Sequence, residues 1–310
     1  MNDQRGRFVW YELLTTDIAA AAKFYGEVVL WSAQNASTAA FAYSVLRAGG
    51  LPVCGLMDLP LEGRRKGATP RWVGYVAVDD ADAATDKVKR FGGTVYVPPT
   101  ESNIGRIAIV ADPQTATLAL VEGLKLAEAQ PRDLGEAGCV GWHELFATDS
   151  GHALAFYAEV LGWQEAAGGA GLIEGYRPFS AGGQTIGGMF NKLPRVPVPF
   201  WLYYFNVDDL DRAIGAVRSG GGQVAQGPLE LPGGIGIARC IDPQGAMFAL
   251  RGPRGEGAAG KTAAAELGFV AEWGGFASRG RVIADPKEMS KEMSKETVKE
   301  PAKPAPKPKR

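Results

Sequence analysis

Along most of the chain, two kinds of segment follow each other. In one kind apolar and polar residues alternate, as in β-strands, and in the other the apolar residues recur at helical spacing. In four places a strand-like run ends in Asp and passes into a helical pattern; these residues are Asp17, Asp80, Asp149 and Asp209. An Asp at this position caps a helix by accepting from its first free N–H groups. The pattern predicts helices over residues 19–29, 82–91, 153–161 and 211–217, and strands over residues 41–46, 106–110, 118–121, 235–239 and 247–250.

The chain also repeats itself. Residues 8–31 read FVWYELLTTDIAAAAKFYGEVVLW, and residues 140–163 read VGWHELFATDSGHALAFYAEVLGW. WVGYVAVDDADAA (72–84) matches WLYYFNVDDLDRA (201–213), and VADPQTATLAL (110–120) matches CIDPQGAMFAL (240–250). The offsets all lie near 130 residues, so the chain is a duplication, and each half holds two βαβββ motifs.

Composition narrows the possible chemistry. The chain has 310 residues and a net charge of −1, which favours neither a nucleic-acid nor a membrane partner. It has three widely spaced cysteines and no apolar leader, so we expect a cytoplasmic protein with free thiols. Only two histidines are present, His143 and His152, and we interpret both as structural or solvated. A site with three histidines is therefore impossible within one chain.

Four βαβββ motifs, the Asp-capped helix containing Phe-Tyr, the Val-Asp-Asp helix start and the Asp-Pro-Gln turn resemble the vicinal oxygen chelate superfamily of glyoxalases, bleomycin-resistance proteins and extradiol dioxygenases. The resemblance implies an α+β fold in which pairs of motifs form curved sheets around a cup for metal and substrate. It predicts module 1 over residues 1–126, a linker at 127–139 and module 2 over residues 140–254. A tail follows at 255–310, which we expect to be disordered from about residue 285, since it is rich in Lys, Glu and Pro.

The resemblance also implies where the family's metal ligands would stand. These positions hold Trp10, Val73 and Ala119 in module 1, and Trp142, Leu202 and Ala249 in module 2. None of these side chains can ligate Zn²⁺, Fe²⁺ or Mn²⁺. We therefore expect no metal and no other cofactor.

Strand alternation offers other candidates, because residues two apart share a face. The predicted binding residues are Trp10, Glu12, Tyr75, Trp142, Glu144, Tyr204 and Asn206. A carboxylate on such an aromatic face needs a partner or a raised pKa, and a Tyr hydroxyl is a natural partner. The sequence leaves open which motifs share a cup, so Glu12 could face Tyr75 or Tyr204.

Two main functions remain. The first is metal-independent binding of an aromatic or cationic organic ligand, by a monomer or homodimer. The alternative is a lyase, isomerase or dioxygenase that uses Glu12 or Glu144 as a base or as an atypical metal ligand. A scaffold whose cups have closed is a further possibility.

Overall fold

A computed structural model describes residues 4–39, 41–65, 67–125, 133–167, 175–231, 234–254 and 261–262. Module 1 contains β1 (Phe8–Thr15), α1 (Ile18–Val28), β2 (Ser32–Asn35), β3 (Tyr43–Ala48), β4 (Leu51–Asp58), α2 (Leu61–Arg65), β5 (Arg71–Ala77), α3 (Ala81–Arg90), β6 (Thr94–Glu101), β7 (Arg106–Ala111) and β8 (Thr117–Glu122). Module 2 contains β9 (Val140–Ala147), α4 (Ser150–Leu161), β10 (Gln164–Glu165), β11 (Arg177–Ala181), β12 (Gln184–Asn191), β13 (Phe200–Asn206), α5 (Leu210–Ser219), β14 (Gln223–Leu231), β15 (Ile235–Ile241), β16 (Met247–Pro253) and β17 (Lys261–Thr262).

Each module forms one mixed sheet. The strand order is β2-β3-β4-β1-β5-β8-β7-β6 in module 1 and β10-β11-β12-β9-β13-β16-β15-β14-β17 in module 2. The two motifs of a module meet at its centre, where β1 pairs antiparallel with β5 and β9 with β13. The predicted architecture of four βαβββ motifs in two curved sheets is confirmed.

The four long helices begin where the Asp pattern predicts. Asp17, Asp80, Asp149 and Asp209 are the N-caps of α1, α3, α4 and α5. Each carboxylate accepts from the backbone N–H three residues later, at 2.9 to 3.0 Å. This hydrogen bond satisfies one of the free donors at the helix start, which fixes where the helix begins.

The helix-bearing faces of the two sheets share one hydrophobic core. Helix α1 packs against α5, and α3 against α4. Buried residues of both modules form one continuous cluster, with Tyr25 and Trp72 of module 1 beside Phe205 and Phe248 of module 2. The other face of each sheet carries its own smaller apolar cluster, turned away from this core.

Matched polar contacts join the modules. The Gln244 side-chain oxygen accepts from the backbone N–H groups of Thr16 and Asp17 at 2.9 and 2.8 Å, and its amide donates to the Asp17 carbonyl at 2.9 Å. Gln114 makes the equivalent pair of bonds to the backbone of Asp149, at 2.7 and 2.8 Å. Each Asp-Pro-Gln turn therefore binds the helix start of the opposite module.

The ends of α1 and α4 differ at one equivalent position. Gly162 ends α4 with φ 77°, a left-handed conformation that glycine adopts freely. In module 1 Leu30 adopts φ 63° at this position, and its side chain is 61% exposed. The leucine bears the steric cost of the left-handed conformation without burying its side chain.

The predicted tail lies almost wholly outside the described residues. Its described part is β17 alone. Of the predicted linker, residues 133–139 are described. Within the described part of the chain no helix is both long and apolar enough to cross a membrane.

Candidate functional site

The outer face of the module 1 sheet carries the first group of predicted residues. Trp10 and Glu12 lie on β1, opposite Tyr75 and Val73 of β5, and Tyr75 pairs with Ala119 of β8. Because side chains alternate, these five residues share one face, which we call cup 1. Tyr75 thus lies beside Glu12, which answers the question of pairing that the sequence left open.

Glu12 is the polar centre of cup 1 and is 4% exposed. The Tyr43 hydroxyl donates to its Oε1 at 2.6 Å, and the Tyr75 hydroxyl donates to its Oε2 at 2.5 Å. The Trp10 Nε1–H donates to the Tyr43 hydroxyl at 3.3 Å. Burial raises the pKa of the Glu12 carboxyl, and the hydrogen bonds from Tyr43, Tyr75 and Trp10 only partly offset this rise.

Cup 2 is the matching face of module 2, with Trp142, Glu144, Leu202, Tyr204 and Ala249 on β9, β13 and β16. The Tyr204 hydroxyl donates to Glu144 Oε2 at 2.6 Å, as Tyr75 does to Glu12. Each cup therefore holds a buried Glu bonded to a Tyr two positions along the neighbouring strand.

Cup 2 differs from cup 1 because it contains its own cation. Arg239 Nη2 forms a 2.7 Å ion pair with Glu144 Oε2, with side chains only 1% and 5% exposed. Its Nε donates to the Tyr204 hydroxyl at 2.9 Å, and its Nη1 donates to Gln226 Oε1 at 2.7 Å. Burial alone would lower the pKa of the guanidinium, but Glu144 and Tyr204 raise it above its usual range, so Arg239 stays charged.

Two aromatic rings complete the surroundings of this cation. The Arg239 guanidinium carbon lies 5.1 Å from the centre of the Phe146 ring and 5.9 Å from that of Phe190. Both distances are within the range of a cation–π contact. Cup 2 thus shows how this scaffold accommodates a buried cation.

Module 1 has apolar residues where module 2 has this cation and its amide partner. Arg239 pairs with Ala249 in the sheet, and Ile109 pairs with the equivalent Ala119. Gln226 lies opposite Arg239, and Val97 lies opposite Ile109. Within the described residues Glu12 forms no ion pair. Arg71 of β5 lies on the same face, but its guanidinium donates to the Thr69 carbonyl at 3.4 Å and not to Glu12.

The remaining predicted residues lie at the sides of cup 2. Trp142 is half-buried, and its Nε1–H donates to the Tyr176 hydroxyl at 2.9 Å. Asn206, predicted to line the cup, is not bonded to Glu144. Its amide donates instead to the carbonyls of Leu134 and Glu136, at 2.7 and 3.0 Å, and so holds the linker. Gly141, the extra residue of a bulge in β9, leaves room for this amide, because a Cβ there would clash with Asn206 Oδ1.

The histidines and cysteines lie away from both cups. His143 is buried in the core between the modules, and His152 is exposed at the start of α4. Cys54, Cys139 and Cys240 are buried free thiols. Burial raises the pKa of Cys54 and raises that of Cys240, so neither resembles a reactive thiolate.

The family's metal does not fit these cups. The positions of its ligands carry Trp10, Val73 and Ala119 in cup 1, and these side chains offer no oxygen, sulfur or imidazole donor. Among the described residues no group of three His, Cys, Asp or Glu side chains could hold an ion. Glu12 and Glu144 lie in separate cups, so they cannot bind one ion together.

Sequence reasoning missed two important partners, Tyr43 and Arg239. Tyr43 belongs to a predicted strand, where it alternates with Phe41 and Val45 on the cup face. Arg239 ends the predicted strand 235–239, on the same face as Ile237. The detectable signal was the basic Arg239 at the position where module 1 has the apolar Ile109.

Comparisons with known proteins agree with this fold. Residues 140–250 match the Glyoxalase/Bleomycin resistance protein/Dioxygenase superfamily. "Putative glyoxylase CFP32" of Mycobacterium tuberculosis is 34% identical over 248 residues, which span 79% of this chain and 94% of the relative. "Anthracycline biosynthesis protein DnrV" of Streptomyces peucetius is 31% identical over 268 residues, spanning 79% and 92%. The chain belongs to the glyoxalase/bleomycin resistance/dioxygenase superfamily.

Solved structures show the same fold at low identity. The Mn(II)-bound glyoxalase of Novosphingobium aromaticivorans superposes with a TM-score of 0.56 at 16% identity, covering 80% of this chain and 82% of that one. The 2,3-dioxygenase LapB of Pseudomonas sp. KL28 superposes with a TM-score of 0.53 at 12% identity, covering 82% and 93%. These likenesses concern the fold alone.

Proposed function

We propose that the protein binds an aromatic or cationic organic molecule in cup 1 and needs no metal to do so. One observation carries the proposal: Glu12 is buried and forms no ion pair among the described residues, whereas the equivalent Glu144 is paired with Arg239. A buried carboxylate without a counter-charge is costly even when hydroxyl groups donate to it, so it is either protonated or neutralised by a bound cation. A ligand cation beside Glu12 would fill the role that Arg239 fills in module 2.

The surroundings of Glu12 support a flat ligand. Trp10, Tyr43 and Tyr75 all bond to it directly or through one hydroxyl, and Phe41 stacks on Tyr43 with ring centres 5.3 Å apart. Aromatic side chains favour planar and cationic ligands through stacking and cation–π contacts. The two Tyr hydroxyls also give the ligand fixed polar partners.

Entry of a ligand requires movement at the mouth of the cup. Leu59, Ala68 and Ile104 come from segments between strands and pack onto the cluster that covers Glu12. Such connecting segments move more readily than the sheet does. The proposal thus places rigid recognition groups on β1 and β5, and places the moving parts in the connections.

A charge-filling variant tests this assignment. Ile109→Arg gives cup 1 the basic residue of cup 2, and Ile109→Met is the uncharged control. With benzamidine as an aromatic cation, we expect a saturable rise in Tm for the wild type and for Ile109→Met. We expect no rise for Ile109→Arg or for Glu12→Gln, while benzoate should have no effect on any of them.

Two results would contradict the proposal. If neither benzamidine nor neutral phenol shifts the wild-type Tm, the closed-cup scaffold is favoured. If Ile109→Arg binds benzamidine as tightly as Ile109→Met, the ligand is elsewhere. Metal independence is tested separately by elemental analysis, since a stoichiometric transition metal removed by EDTA would refute it.

A second candidate is catalysis by Glu12. The raised pKa of its carboxyl and the adjacent Tyr75 hydroxyl suit proton transfer, with Glu12 as base and Tyr75 as donor to a developing oxyanion. The mycobacterial relatives are named as putative glyoxylases, which favours an enzymatic role. It predicts that Glu12→Gln keeps ligand binding but loses turnover, whereas a binding protein loses affinity and has no turnover to lose.

A further inference from the structure

A second pocket lies between the modules, outside both cups. We call it the seam pocket; its volume is about 100 Å³. Module 1, module 2 and the linker all contribute to its wall. The polar lining residues used below are Arg7, Tyr11, Asp133, His143 and Gln184.

The seam pocket contains positions that the duplication relates, and their side chains have diverged. Residues 132 apart, on β1 and β9 or just before these strands, occur on its two sides. The pairs are Arg7 with Cys139, Phe8 with Val140, and Tyr11 with His143. In the first pair only Arg7 carries a charge. Gln184 is also polar where module 1 is not, since the strand register relates it to Leu51. Two identical modules would place the same residues on both sides of the pocket. Here the two sides differ, and the polar groups lie on one wall.

The floor of the pocket is a neutral hydrogen-bonded pair. His143 Nδ1 lies 2.6 Å from the Ile186 carbonyl, which can only accept, so the proton is on Nδ1. His143 Nε2 therefore accepts from the Tyr11 hydroxyl, at 2.6 Å. Burial lowers the pKa of His143 to about 4, and the Phe8 ring stacks on it at 4.1 Å. This pair supplies no charge at neutral pH.

Arg7 supplies the charge. Its Nη1 donates to Gln184 Oε1 at 3.1 Å. Among the described residues it has no carboxylate partner, and its Nε–H is buried without an acceptor. Buried donors are nearly always paired in folded proteins, so this N–H indicates a missing acceptor. Asp133 lies at the exposed mouth, where its carboxylate accepts from the Gly135 N–H at 2.9 Å and is screened by solvent.

We propose that the seam pocket binds a small carboxylate through Arg7. A guanidinium offers parallel N–H groups that match the two oxygens of a carboxylate. The small volume limits the ligand to a short acid, and Phe8, Val53 and Ile186 provide apolar contact for its hydrocarbon part. This site is independent of the ligand proposed for cup 1.

Calorimetric titration with propionate tests the proposal, with ionic strength held constant by chloride. We expect saturable binding of one propionate per chain to the wild type. Arg7→Met should weaken the affinity at least tenfold. Arg5→Met is the matched control, because Arg5 is 57% exposed and pairs with Asp79 at the surface; its affinity should stay within twofold of the wild type.

The variant Ile109→Arg should bind propionate normally, which separates this site from cup 1. Three results would overturn the inference: no saturable binding by the wild type, equal affinity in Arg7→Met, or displacement by chloride as readily as by acetate. The last result would indicate a general anion site. Gln184→Leu adds a second check, since it removes the partner of Arg7 without removing the charge, and it should retain binding.

Discussion

The buried ion pair of cup 2 allows a sharp test of how much a charged contact contributes to stability when solvent is excluded from it. Arg239→Met removes the cation but keeps most of the side-chain volume. It breaks the 2.7 Å contact with Glu144 and the hydrogen bonds to Tyr204 and Gln226. Removing one partner of a buried pair leaves the other charge uncompensated, which typically costs about 3–5 kcal/mol.

A surface pair in the same module is the matched control. Arg177 and Glu165 lie 2.9 Å apart, but their side chains are 42% and 54% exposed. Solvent screens such pairs, so Arg177→Met should cost between about 0 and 1 kcal/mol. The two variants thus differ chiefly in burial.

Urea unfolding followed by tryptophan fluorescence measures both variants, with stability differences taken from the midpoint at unchanged slope. We expect the double variant Arg239→Met/Glu144→Gln to recover part of the loss, because it also removes the stranded charge. A loss of less than about 1 kcal/mol for Arg239→Met, equal to the surface control, would refute the view that this pair is shielded from solvent.

Three further predictions concern other parts of the chain. Because burial raises the pKa of Glu12 above its unfolded value, ionisation of Glu12 destabilises the fold as pH rises through the folded pKa. Glu12→Gln should therefore unfold at a higher urea concentration than the wild type at pH 7, and this difference should vanish below the unfolded pKa near pH 4.5. Leu30→Gly should stabilise the protein by about 0.5–1 kcal/mol and Gly162→Leu should destabilise it by about 1–2 kcal/mol, as differential scanning calorimetry would show; opposite signs would contradict the backbone argument. Gln244→Ala and Gln114→Ala should each lower stability by about 1–2 kcal/mol and increase hydrogen exchange at the helix starts they bind, whereas unchanged exchange would exclude the cross-module role.

The sequence was sufficient to predict the motifs, because local chemistry decides where they begin. An Asp N-cap needs only the residues beside it, so all four long helices were found within three residues of their starts. Strand alternation likewise placed Trp10 and Glu12 on one face. Helix α2 (Leu61–Arg65) was not predicted, since five residues give too little periodicity.

The partners within each cup could not be read from the sequence. Whether Glu12 meets Tyr75 depends on β1 pairing with β5, which is a long-range contact that no local pattern encodes. The bond from Asn206 to the linker is also a long-range contact, made beside a bulge in β9 that no local pattern encodes. The contact of Arg239 with Glu144 depends on the strand order, in which β15 lies two strands from β13.

The shared core between the modules also bears on how such a chain evolves. A single module with this face exposed would bury it by pairing with an identical copy, and every mutation would then appear in both cups at once. Joining the copies in one polypeptide removes that restriction. Arg239 stands in one half and Ile109 in the other, so the two cups of this chain differ in charge, which a symmetric pair of identical modules does not allow. Covalent fusion thus turns a symmetric assembly into two independently adjustable compartments.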